Sequence, residues 1–429
     1  MQVLLSLSIA LFVGLMLSRL AKMVQLPAVT AYLVAGILVG PYLLGQIWIP
    51  GADIHLGFTT ADFDAYKLLS DVALGFIAFA IGNEFRLATL KKTGRQATVI
   101  GIVQAVFTTL LVDAALVGLH FLKPDLLPLP AAIVLGAVAS ATAPAATLMV
   151  VRQYKAKGPL TDILLPIVAL DDAVGLVLFA VSFGIAKALI NGQVDLLSVV
   201  LEPILEVVLS LILGATMGFL FHFSERFFHS RSKRMAMSVT FVLLTVALSM
   251  IEFTVGGVHV AFSSLLVCMM MGTIFCNVCD FSEELMDRVE RCSTPLLVLF
   301  FVISGAELEL DVFKNPLIIL LGVVYIVFRS CGKYFGARLS AQATKCDPHI
   351  VKFLGITLLP QAGVALGMAM KAEQLGEVGS VVANITLFSV LIYELVGPYL
   401  TKISLQKAGE IRPEGKVSAR GKKDILSHE

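Results

Sequence analysis

About thirteen apolar runs of 17–25 residues divide this 429-residue chain. A helix rises 1.5 Å per residue, so about 20 apolar residues cross the ~30 Å hydrocarbon core of a bilayer. In that medium every backbone N–H and C=O must be satisfied within the structure, which leaves helices or closed barrels. Barrel strands need only about 9–11 residues, so runs of this length select helices. The approximate limits are 2–20, 27–45, 68–84, 98–121, 130–150, 161–186, 197–222, 236–252, 257–276, 293–308, 315–338, 350–371 and 379–401. The fold class is an all-α polytopic membrane protein. Charged residues make up 15% of the chain, against about 25% in soluble domains. A nucleic-acid partner is excluded, because no segment carries a basic stripe with interleaved aromatics.

The loops orient these spans. Loops after odd-numbered spans carry Arg19 and Lys22; Arg86, Lys91, Lys92 and Arg95; Arg152, Lys155 and Lys157; Arg226, Arg231, Lys233 and Arg234; Arg288 and Arg291; and Arg338 and Lys345. The loop after the second span instead has Asp53, Asp62 and Asp64 and no Lys or Arg. By the positive-inside rule the N-terminus is expected outside and the odd-span loops in the cytoplasm. The C-terminal segment carries Lys402, Lys407, Arg412, Lys416, Arg420, Lys422 and Lys423, as an odd number of spans requires. Met1–Leu20 has its first cation, Arg19, after the apolar run, so it is expected to be a retained span and not a signal peptide. A bacterial inner membrane is the expected location.

Two adjacent aspartates, Asp171 and Asp172, lie in the middle of the sixth run. A carboxylate at a helix centre opposes insertion by roughly 2.5–3.5 kcal/mol on insertion scales, and such residues mark ion and proton pathways. Successive helical residues point about 100° apart, so one aspartate is expected to face the pathway and the other a neighbouring helix. The two should titrate as a coupled pair. A deprotonated carboxylate is a hard-oxygen site for a small cation, and a proton on it excludes that cation. The eleventh run supplies partner charges, Arg329 and Lys333, with Gly332 and Gly336 at the G-x-x-x-G spacing of close helix contacts. Snorkelling towards the cytoplasmic end is the alternative reading of Lys333.

Two further runs are interrupted. Ser140-Ala-Thr142-Ala-Pro144-Ala-Ala-Thr147 lies in the fifth and Leu359-Pro360-Gln361-Ala362-Gly363 in the twelfth. Either proline alone is accounted for by an ordinary kink. Paired interruptions at matching positions in two halves point to inverted repeats with two broken, crossing helices at the binding site. The hydroxyls of Ser140 and Thr142 are candidate cation ligands, with simple helix contacts as the alternative. Asp71, Asn83 and Glu84, Asp113, Glu252 and Glu394 are weaker candidates. Glu394, beside Tyr393, leads these as a partner for Arg329. His259 is expected to be a packing residue. Gly36 and Gly40, and Gly214 and Gly218, have helix-contact spacing. Cys276-Asn-Val-Cys279 lacks the further ligands of a zinc set and is expected to be ordinary thiols at a helix end.

The Leu170-Asp171-Asp172-Ala-Val-Gly175 and Gly332-Lys333-Tyr-Phe-Gly336 stretches, with the two interrupted spans, resemble the monovalent cation:proton antiporters. The specific resemblance is to the bacterial two-aspartate sodium/proton branch, and it covers the chain to about Thr401. It implies a core of spans four to six (98–190) and eleven to thirteen (313–401). It also implies dimerisation-domain helices at 1–97 and 236–312, a linker helix at 191–235 and a cytoplasmic tail at 402–429, in a homodimer embedded in the lipid bilayer. It implies that Asp172 binds the cation (Na+), that Asp171 forms a salt bridge with Lys333, and that exchange is electrogenic, by alternating access of the core. No cofactor is implied beyond the transported Na+ or other monovalent cation and H+. Where many relatives carry an acidic residue in the first break and Arg-Gly-Glu in the second, this chain has Ala143 and Gln361-Ala362-Gly363. Thr142, Gln361 or backbone groups must then compensate the facing helix ends.

The expected function is antiport of Na+ or Li+, with K+ a further candidate, against H+, serving pH homeostasis. The runner-up is potassium/proton efflux, and a sodium-coupled solute symporter of the same architecture is the other alternative. A gated channel would favour rings of like residues from several subunits. An enzyme is not expected, since no metal set, nucleophile triad or phosphate loop appears.

Overall fold

The computed structural model describes residues 2–411 except 24–25, 50–53, 60–62, 84, 125, 192–195, 229, 256–257, 280–281 and 309–313. Glu84, Asp53, Asp62 and the cations Arg412, Lys416, Arg420, Lys422 and Lys423 lie outside the described residues, as do the side chains of Asp64, Lys91, Lys92 and His259.

Among the described residues the first half of the chain contains α1 (Gln2–Met23), α2 (Ala28–Val39), α3 (Phe63–Gly82), α4 (Leu87–Leu122), α5 (Leu129–Val138), α6 (Pro144–Gln153), α7 (Pro159–Asn191) and α8 (Leu196–Glu225). The second half contains α9 (Arg231–Ser249), α10 (Ser264–Val278), α11 (Ser282–Ala306), α12 (Pro316–Ala343), α13 (Pro348–Thr357), α14 (Gly363–Ala372) and α15 (Glu377–Lys407). Joining α5 to α6 and α13 to α14 as two broken spans leaves thirteen crossings. Several helices start on proline, whose missing N–H would find no helical partner in the first turn: Pro144 opens α6, Pro316 opens α12 and Pro348 opens α13. The Asn315 and Asp347 side chains cap the last two by accepting from Leu317 N (3.0 Å) and His349 N (2.8 Å).

The ninth span departs from its expected limits of 257–276. Strands β3 (Phe253–Val255) and β4 (Val258–Val260) form an antiparallel hairpin there, with Thr254 opposite His259, and α10 begins only at Ser264. The stretch is apolar, but its β-branched and aromatic residues surround Gly256-Gly257, a hairpin pattern that a hydropathy count does not separate from a helix. A second hairpin joins β1 (Trp48–Ile49) to β2 (Ile54–His55) between α2 and α3.

The helices pack in two sets. In one, α4 lies along α12, α7 covers α4 and α5, and α15 covers α12, α13 and α14. In the other, α2 lies between α1 and α11, α3 lies against α10 and α11, and α8 and α9 close the row. The first set is two copies of one motif: long helix, broken helix, long helix (α4, α5–α6, α7 and α12, α13–α14, α15). Glycines set the closest approaches. A Cβ at Gly332 would lie 2.8 Å from the Cα of Thr108, and one at Gly336 would lie 3.0 Å from the Cα of Gln104, so these two let α12 touch the backbone of α4. Gly36 and Gly40 do the same for α2 against α11, and Gly214 and Gly218 for α8 against α10.

Candidate functional site

The two breaks cross in the middle of the first set. The backbone N–H of Ala143 donates to the carbonyl of Pro360 (2.8 Å), and Gln361 Nε2 donates to the carbonyl of Val138 (3.0 Å). Buried alanines, Ala137, Ala139, Ala141, Ala143, Ala145 and Ala146, line the first break and leave room for the second chain. Gly397 lets the ring of Pro360 rest against α15. Gly175 lets α7 pass the break, since a Cβ there would meet Ser140 Oγ at 3.2 Å.

Breaking a helix leaves its last carbonyls without partners, and the aligned peptide dipoles put partial negative charge at that end. Two fully buried cations on α12 satisfy these ends. Arg329 Nε donates to Ala139 O (3.0 Å), Nη2 to Ala141 O (2.7 Å) and Nη1 to Leu359 O (2.7 Å), so one planar fork ties both breaks together. Its guanidinium also lies 4.3 Å from the centroid of the Tyr393 ring. Lys333, one helical turn on, uses all three ammonium donors: Ser140 O (2.5 Å), Thr142 Oγ1 (2.9 Å) and Asp171 Oδ2 (2.9 Å). This is a buried ion pair and not a snorkelling lysine.

The two aspartates differ sharply. Asp171 is fully buried and fully engaged: Thr142 Oγ1 donates to Oδ2 (2.6 Å) beside Lys333, and Gln104 Nε2 of α4 donates to Oδ1. Asp172 is 2% exposed, and neither of its oxygens has a hydrogen-bond partner. It lines a cavity of about 300 Å³ between the two helix sets. One wall is α7 and α14, with Phe179, Met368 and Lys371; the other is α3, α8 and the start of α10, with Asp71, Glu206 and Ser263. An ionised carboxylate without a counter-charge costs several kcal/mol in such a place, so Asp172 requires either a proton or a cation. The adjacent positive charge of Lys333 is already committed to Asp171.

The other candidates fall as follows. Pro144 opens α6, and Pro360 contributes its carbonyl to the crossing. The Ser140 hydroxyl donates to Ala137 O (2.7 Å), while its own carbonyl receives Lys333. Gln361 also donates to the Tyr325 hydroxyl (3.0 Å) and accepts from Ser389 Oγ (3.3 Å). Glu394 is not the partner of Arg329: Oε1 accepts from Ser304 Oγ of α11 (3.4 Å), and Oε2 has no hydrogen-bond partner. Arg329 is instead drawn to the helix-end carbonyls, which surround it on three sides. Asp71 lies in the cavity wall, Asp113 faces Gly136 on α5, and Glu252 is exposed beyond α9. Cys276 Sγ lies 3.2 Å from Thr273 O within α10, and Asn277 caps the approach to α4 through Leu87 N (2.8 Å).

Sequence reasoning missed Gln104. The signal was a glutamine in the middle of an apolar span with Thr108 one turn on, facing the glycines of α12. It also missed Glu410, whose carboxylate accepts from Leu160 N (2.6 Å), Thr161 N (2.8 Å) and Thr161 Oγ1 (2.6 Å) and so caps α7. Nothing local in the sequence marks that contact.

The chain and its fold are similar to those of known proteins. The chain is 24% identical over 404 residues to the Na+/H+ antiporter NhaS4 of Synechocystis sp., covering 92% of this chain and 94% of the relative. The fold is similar to that of the sodium proton antiporter MjNhaP1 from Methanocaldococcus jannaschii at pH 8, with a TM-score of 0.66 and 18% identity over 95% of this chain and 99% of that one. An electron-microscopy structure of MjNhaP1 gives a TM-score of 0.64 at 17% identity, over 96% and 97% of the two chains. Residues 7–407 match the family described as sodium/hydrogen exchanger, transmembrane. With nearly the whole chain matched, the protein belongs to the transmembrane sodium/hydrogen exchanger family, and its activity is sodium/proton exchange.

Proposed function

We propose that Asp172 is the group at which Na+ or Li+ and a proton compete, in an antiporter that alternates access by moving α4–α7 and α12–α15 as one body against the remaining helices. The observation that carries this reading is the asymmetry of the pair: Asp171 is saturated by Lys333, Thr142 and Gln104, while Asp172 has two unused oxygens at the edge of a cavity. The cavity lies along the seam between the two helix sets, where a relative shift would close one entrance and open another. With α7 running outward by the positive-inside rule, Leu176, Phe179 and Ala180 lead from Asp172 towards the external face. Two coupled carboxylates beside a lysine support electrogenic exchange, and a homodimer assembled through the second helix set completes the reading.

The test is a pH-gradient fluorescence assay in proteoliposomes with Na+, Li+, K+ and choline chloride added in turn. Wild-type protein is expected to collapse the gradient with Na+ or Li+ and not with choline, and Asp172→Asn is expected to abolish the response. Full activity in Asp172→Asn would overturn the assignment.

A further inference from the structure

Asp172 is not the only buried carboxyl group with an unused oxygen at the seam. Glu394 lies in the middle of α15, 3% exposed, and Oε2 has no hydrogen-bond partner. α15 is the third helix of the second repeat unit, as α7 is of the first, so each unit carries one such group on its third helix. The backbone of α15 belongs with α5, α12, α13 and α14. The Glu394 side chain is turned across the seam to Ser304 of α11, and the next residue, Leu395, accepts from Thr30 Oγ1 of α2 (3.4 Å). Glu394 therefore spans the boundary between the helix sets at a second point.

Its charged surroundings are acidic on balance. The group facing it from the end of α11 is Glu307, which in turn faces Asp71 and Lys67 of α3. Arg329 of α12 is committed to the break carbonyls. Tyr32, on α2, is turned towards Gly14 of α1, α5 has no titratable residue, His349 and Lys352 of α13 lie against the Phe353 ring, and Lys371 of α14 lines the Asp172 cavity. No cation compensates Glu394 among the described residues, and burying a bare carboxylate is costly. A proton on Oε2 would remove that cost. A shift of α15 along α11 would separate Glu394 from Ser304 and change its access to water.

We infer that Glu394 is a further proton-carrying group of the exchanger, outside the Asp171–Asp172–Lys333 cluster, loaded while α15 stands against Ser304 and discharged after the helix sets have shifted. The chemistry is one O–H bond formed from a proton on one side of the membrane and the same bond broken on the other. Because this rests on the exchange reading above, wild-type exchange is measured in the same vesicles: its failure there counts against that reading, and a failure confined to the variants counts against this one.

The experiment compares wild type, Glu394→Gln and Glu394→Asp in proteoliposomes. Fixed Na+ and pH gradients are imposed; the membrane potential at which net Na+ flux vanishes gives the proton-to-cation ratio, and a flux that no potential nulls marks one-for-one, electroneutral exchange. Glu394→Gln, which keeps the shape and cannot release a proton, is expected to exchange with one proton fewer per cation. Glu394→Asp, which keeps an acid, is expected to retain the wild-type ratio. An unchanged ratio in Glu394→Gln overturns the inference. So does a folded Glu394→Gln that binds Na+ without exchanging it, or the same loss in both variants, because the role is then structural.

Discussion

Lys333 Nζ stands 2.9 Å from Asp171 Oδ2 with both side chains fully buried, while the neighbouring Asp172 has no polar partner. The pair thus separates two adjacent, chemically identical residues into a held group and a free one. Removing one partner of a buried ion pair leaves an uncompensated charge and costs roughly 3–5 kcal/mol. Lys333→Ala is expected to lower the melting temperature in detergent and to shift the pH profile of exchange. An unchanged profile and melting temperature would show that the pair has no part in either.

Arg329 holds three carbonyls from two breaks in a single fork. A lysine has the charge but not the planar geometry and cannot reach all three. Each buried carbonyl left without a donor costs about 1–3 kcal/mol. Arg329→Lys is therefore expected to destabilise the protein nearly as much as Arg329→Met, measured by thermal unfolding in detergent. A Lys variant as stable as wild type would contradict the bridging role.

Gly332 touches the backbone of Thr108, so a larger side chain must push α12 away from α4 and carry Lys333 from Asp171. Gly332→Val is expected to reduce exchange at least tenfold, as a shift of even 1 Å at a site of this kind can exceed that cost. Gly118→Ala on α4 meets nothing within 4 Å and serves as the control with wild-type activity. Equal activity in both variants would remove the close approach as a requirement.

Glu410 accepts three hydrogen bonds at the N-terminus of α7, where a carboxylate also meets the positive end of the helix dipole. Glu410→Ala is expected to cost about 1–3 kcal/mol, with Glu410→Gln intermediate. Hydrogen exchange at the first turn of α7 reads the effect locally, and unchanged protection in the Ala variant would refute the cap.

Much of this protein follows from period and polarity along the chain. Apolar runs of bilayer length give the helices, because hydrocarbon permits no unsatisfied backbone. Two prolines among small residues mark the breaks, and two charges inside an apolar run mark the candidate site because burying them is costly. The G-x-x-x-G spacing at Gly332 and Gly336 was also visible, since small residues are what close helix contacts require. The hairpin at Phe253–Val260 was not separated from a span, because hydropathy carries no sense of strand or helix over so short a stretch.

Tertiary structure decided how the charges are shared. Which aspartate is held depends on the rotation of α7 against α4 and α12, and on Gln104 and Thr142 arriving from elements far apart in sequence. The partner of Arg329 likewise could not be read from residue types, since it is three main-chain carbonyls and not the acid at Glu394. A sequence records which groups a chain must bury. Only the crossing of the broken helices determines which partners reach them, because hydrogen bonds and ion pairs depend on ångström-scale distances that no linear spacing encodes.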